Sequence, residues 1–154
     1  LVVGAFLGSL LSYVDYKRRD IVYSNIEIYS KLKITPLAEL SFQNKSNWNE
    51  SLLLLKKGAL SLSSGSIALL PIGKLYENQK QDILRSLDLI NGDREFIFTE
   101  LFSDAINSPN IILLTSSGIT KGKQLNNLMD KLKFLNNNIL GSIMLYDDKS
   151  KTNS

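Results

Sequence analysis

Two turns in this 154-residue chain carry residue types that can hold a phosphate. The first, Pro71-Ile72-Gly73-Lys74, follows the apolar run SIALL; the second, TSSGITKGKQL, follows NIILL. A phosphate-binding loop of the G-x-x-x-x-G-K-[ST] type wraps the anion in successive backbone N–H groups, sends a lysine to the terminal phosphates and holds Mg²⁺ through a hydroxyl. The first turn has one glycine, with Leu75 where the hydroxyl belongs. In the second, Gly118 and Gly122 stand one residue too close, and Gln124 replaces the hydroxyl. What survives there is a weak anion turn at a helix N-terminus, made of Gly118, Thr120, Lys121 and Lys123. The competing reading is structural: glycine and Thr120 turn a strand into a capped helix, and the lysines face water. The missing magnesium ligand favours the structural reading.

Other chemistry is narrowed by composition. Cysteine and histidine are both absent, which removes thiol nucleophiles, disulfides, the usual zinc ligand sets and imidazole acid–base catalysis. No strand ends in an Asp-x-Asp able to carry a metal, and Asp147-Asp148 opens a polar tail. Glu95, Glu100 and Asp104 are close in sequence, but strand-to-helix geometry does not oblige them to share a site. Trp48 reads as a hydrophobic plug at a helix start, and Lys56 and Lys57 as solvent-facing. No catalytic residue, cofactor or metal is expected. With 18 Lys+Arg against 15 Asp+Glu the net charge is only +3, and no basic stripe is interleaved with aromatics, so nucleic acid is not an expected partner.

The elements that position these turns follow from periodicity. Ser24 and Glu27 form an S-x-x-E capping box for a short helix that Pro36 forbids from continuing, and Leu37 to Phe42 is extended. QNKSNWNES is turn-like, and Asn47 can start a helix through LLLLKKGAL that Gly58 loosens. SIALL, EFIFTE, NIILLTSS and NILGSIML read as strands. Between them, QKQDILRSLDLI places Ile83, Leu84, Leu87 and Ile90 on one helical face before Asn91-Gly92. ELFSDAI is a short helix. Leu125, Leu128, Met129, Leu132 and Leu135 form a core stripe on the last one. Near-continuous apolar strands alternating with helices imply right-handed crossovers and a parallel sheet covered on both faces. The fold class is therefore α/β: a Rossmann-like three-layer domain with a mostly parallel sheet.

The chain opens on LVVGAFLGSLLSYV, without charge from Leu1 to Val14 and without a preceding Met. At about 1.5 Å per residue this run covers about 21 Å of a ~30 Å hydrocarbon layer, so it reads as the last two-thirds of a transmembrane helix, the competing reading being an amphipathic or buried helix of the α/β domain. Gly4 and Gly8 form a G-x-x-x-G surface for helix packing, and Lys17, Arg18 and Arg19 supply the positive charge of a cytoplasmic exit. The expected organisation is a membrane-helix end and basic exit over 1–20, a short helix and extended linker over 21–45, a degenerate P-loop-like α/β domain over 46–146 and a polar tail over 147–154.

LVVGAFLGSLLSYVDYKRRDIVYSNIEIYSKLKITPLAEL resembles the segment in which bacterial polysaccharide chain-length determinants, the polysaccharide co-polymerases, leave the membrane. Ser117-Gly118-Ile119-Thr120-Lys121, the leucines of the following helix, Leu140-Gly141 and Ile143 to Leu145 resemble, in that order, the end of the cytoplasmic domain fused to such proteins in the tyrosine-kinase branch. The resemblance implies a non-catalytic cytoplasmic scaffold in the bacterial inner membrane that helps control surface-polysaccharide chain length and export. It also implies a homo-oligomer whose partners are membrane lipid and the polymerase or export machinery. The alternative within the same resemblance is a nucleotide-binding ATPase or tyrosine autokinase of capsular polysaccharide biosynthesis.

Overall fold

The computed structural model describes residues 2–90, 92–134 and 138–147, and of 15–19 the backbone alone. Asn91, Leu135 and the tail from Asp148 lie outside the described residues, as do the side chains of Lys17, Arg18 and Arg19.

Five strands form one sheet: β1 (Pro36–Ser41), β2 (Ile67–Ile72), β3 (Phe96–Phe98), β4 (Asn110–Ser116) and β5 (Asn138–Tyr146). Their order is β1-β5-β4-β2-β3, and every pairing is parallel. Two strands are buried along almost their whole length, because side chains alternate between two covered faces. Ile67 and Leu69 of β2, with Ile112 and Leu114 of β4, meet α3 (Trp48–Lys57) and α4 (Glu77–Asp88) through Leu52, Leu55, Ile83 and Leu87. On the other face, Ala68, Leu70, Ile111 and Leu113 meet α2 (Asn25–Leu32), the short α5 (Phe102–Ala105) and α6 (Gly122–Leu132) through Ile28, Ala105, Leu125 and Leu132. This is the expected three-layer α/β arrangement.

The segment 21–45 is not a linker. It contains the expected helix, capped where Ser24 Oγ accepts the Glu27 N–H at 3.4 Å, but its extended part is β1, an edge strand paired along β5 from Pro36 to Ser41. The sheet therefore has five strands where apolar runs alone indicated four. Trp48 closes this corner: it is 3 % exposed, its Nε1–H donates to Ser41 O at 2.8 Å, and Phe42 packs edge-on at 5.3 Å. Leu140-Gly141 also has a physical role. The β4–β5 register slips between Ile111 and Ile112, and at Gly141 (φ +150°) the Thr35 carbonyl and Leu37 come so close that a Cβ would collide with both.

The α1 helix (Val2–Arg19) differs from the rest. None of its described apolar side chains is buried; exposure runs from 38 % at Val14 to 84 % at Val2. No described helix is long and apolar enough to cross a membrane.

Candidate functional site

In an open parallel sheet, ligands favour the carboxyl edge where successive crossovers diverge. Here that point lies between β2, whose connection runs through α4 to β3 on one face, and β4, whose connection runs through α6 to β5 on the other. The two turns singled out from sequence are these two connections. They touch: a Cβ on Gly73 would lie 3.8 Å from Ile119 Cγ2.

Thr120 is fully buried. Its hydroxyl donates to the Ile72 carbonyl at 2.8 Å and accepts the Ser116 N–H at 2.8 Å, so it pins the end of β2 to the end of β4. Ser116 O in turn accepts the Thr120 N–H at 2.9 Å. The hydroxyl expected to help an anion turn is thus committed to the interior. Gly118, Lys121 and Lys123 do share the turn with it, and both lysines are exposed.

The outer side of the turn is covered by the residues that leave α1. Val22 N–H donates to Thr120 O at 2.9 Å, Gly118 N–H to Val22 O at 2.9 Å, and Ile21 forms an antiparallel bridge with Lys121. Ser117 Oγ donates to Tyr23 O at 2.8 Å. At the N-terminus of α6 the Asp20 carbonyl accepts the Gly122 N–H at 2.7 Å, and the Asp20 carboxylate accepts the Lys123 N–H at 2.6 Å. The first N–H groups of a helix have no partner within it, and the helix dipole favours negative charge there. Asp20 supplies both a partner and a charge from the distant end of the chain. The place an external anion would take is therefore held by the protein's own carboxylate, and a Cβ on Gly122 would sit 2.6 Å from Asp20 Oδ1, so a larger residue there would displace that side chain. Gly118, Thr120, Lys121 and Lys123, the candidate weak anion turn, thus stand in a hydrogen-bonded corner, as the structural reading of the same residues has it.

Beside the corner is a cleft of about 320 Å³, lined among others by Ile72, Gly73, Phe102, Gln124, Asn127 and Lys131. The Lys131 ammonium lies 5.7 Å from the Phe102 ring centre, and Gln124 Oε1 accepts the Lys121 N–H at 3.3 Å. Glu100, also at the cleft, pairs with Lys80, a hydrogen bond that raises the lysine pKa. A second cleft, also about 320 Å³, opens at the β1–β5 end between Glu39, Asn44, Asn47, Trp48 and Tyr146. Burial first, then the neighbouring Glu39 carboxylate, pushes the Tyr146 phenol above its ordinary value; Asn25 Nδ2 donates to the same carboxylate at 3.0 Å. Among the described residues, no group of three Asp, Glu, His or Cys side chains could hold a metal ion.

Gly4 and Gly8 lie on α1 with nothing within 4 Å of a Cβ at either position, so both leave open surface. Asp20, Asn25 and Glu39 were not singled out from sequence. Only the S-x-x-E capping box came near them, and Asp20 stood undistinguished in a cluster of charge. Comparison with protein-family models, with curated proteins and with solved structures finds no match to this chain.

Proposed function

We propose that this chain is the membrane-exit helix and non-catalytic cytoplasmic scaffold of an inner-membrane polysaccharide co-polymerase, acting on chain length and export by organising an oligomer. The observation that carries this reading is α1, whose described apolar side chains are all exposed while the residues that follow it, Asp20 to Tyr23, are bonded to the α/β body. A helix apolar on every side needs an apolar surrounding that the body does not supply. Lipid and a neighbouring α1 supply it, and the small residues at Gly4 and Gly8 allow close helix approach. The α/β body then serves as cargo held at the inner face, presenting its surface to the polymerase or exporter.

The test is Gly4→Leu with Gly8→Leu in the membrane-embedded protein. Oligomer size by cross-linking and polymer length on gels should both shift; unchanged assembly and unchanged lengths reject the scaffold mechanism. Saturable Mg-ATP binding by the unmodified chain, or phosphate appearing on Tyr146, would favour the ATPase or autokinase reading instead.

A further inference from the structure

A membrane-embedded α1 leaves open how the α/β body sits beneath it, and the carboxyl edge of the sheet bears on this. We infer that this edge is a docking face for an anionic bilayer surface, with Lys74, Lys121 and Lys123 meeting headgroups and Tyr23, Tyr76 and Ile119 reaching the interfacial layer. The inference rests on the membrane reading of α1.

Three observations support it. First, there is no slack: α1 ends at Arg19, and Asp20, Ile21, Val22 and Tyr23 are each bonded to the corner at 117–123. Whatever plane α1 emerges from, this edge is the part of the body nearest to it. Second, the side chains there match an interface. Tyr23, Tyr76 and Ile119 are 41 %, 57 % and 46 % exposed, and Lys74, Lys121 and Lys123 are exposed with no ion-pair partner among the described residues. Aromatic residues beside lysine are characteristic of the headgroup layer, and each cation near an anionic surface favours binding by about fivefold. Third, acids on the same edge are engaged: Asp20 by the Lys123 N–H, Glu77 and Glu100 by Lys80, and Asp147 by the Gln79 amide. The exposed Leu62 and Leu89 precede β2 and β3, and so lie at the opposite edge, about 20 Å away along a seven-residue strand.

Because the chain has no cysteine, single reporters can be placed freely. Ile119→Cys, Lys74→Cys, Leu62→Cys and Leu89→Cys variants of the whole chain, each fluorophore-labelled, are added to phosphatidylcholine vesicles with or without phosphatidylserine, all carrying a headgroup nitroxide. Strong quenching is expected at 119 and 74 and little at 62 and 89. Quenching at 119 should fall several-fold in a Lys121→Glu/Lys123→Glu background, without phosphatidylserine, or at high salt, which screens such contacts. Equal quenching at both edges, or none at either edge in a chain that still floats with the vesicles, overturns the docking face and leaves the membrane reading of α1 standing. Quenching at 119 that ignores lipid charge overturns the lysine contacts. A chain that floats with neither vesicle overturns both readings.

Discussion

Two leucine-bearing helices of this molecule meet opposite fates. In α6 the apolar residues recur at helical spacing among polar ones, so Leu125 and Leu132 are buried against the sheet while Lys123, Asn126 and Lys133 beyond it face water. In α1 the apolar residues surround the axis, and Phe6, Leu7, Leu10 and Leu11 are all exposed, between 49 % and 69 %. A one-sided stripe marks a helix that completes its own domain; an apolar coat on all sides marks one that must be completed by something else.

The sharpest way to break this comparison is to shorten one leucine in each helix. Leu125→Ala removes a buried side chain and should cost about 2–5 kcal/mol of unfolding free energy, whereas Leu11→Ala should leave the α/β body unaffected within about 0.5 kcal/mol. Urea denaturation of the two variants in the same detergent decides it, and an equal loss in both would mean that α1 belongs to the core. A smaller effect should come from the joint between the helices. Asp20→Ala deprives α6 of its N-terminal partner and should lower stability by about 1 kcal/mol, with amide exchange at Lys123 quickened; protection that stays unchanged would show the carboxylate to be idle. The smallest effect lies on neither helix, at Tyr146 at the end of β5. Its pKa is raised in the folded state, so the neutral phenol is the form folding favours. That stability is fully present below the ordinary value of 10.0 and is lost as pH rises through the folded value. Tyr146→Phe should flatten the alkaline decline, although the raised Lys80 adds a slope of its own in the same range. An alkaline profile identical in the two proteins would remove the tyrosine from the account.

The parts of the fold legible in sequence were those where one residue type dominates one environment. Ile67 to Ile72 and Asn110 to Ser116 are strands because a doubly covered parallel sheet requires apolar side chains on both faces. Ser24 and Trp48 were legible because a cap and a plug act locally. Leu37 to Phe42 reads from sequence as extended but not as part of the sheet, where the strand PLAELS lies. As an edge strand it tolerates Pro36 at its start and carries Glu39, so it lacks the apolar density of a central strand. The corner was half legible: spacing located the turn at Gly118 and the helix start after it. Nothing local could show that Asp20, 103 residues earlier in the chain, supplies the helix with its partner, because such a contact depends on where α1 enters the fold.

The strap from Asp20 to Tyr23 is bonded at consecutive residues, so the point where α1 hands over to the body is fixed at the β4–α6 corner. A pull on α1 would therefore bear first on that corner, and through Thr120 on the end of β2.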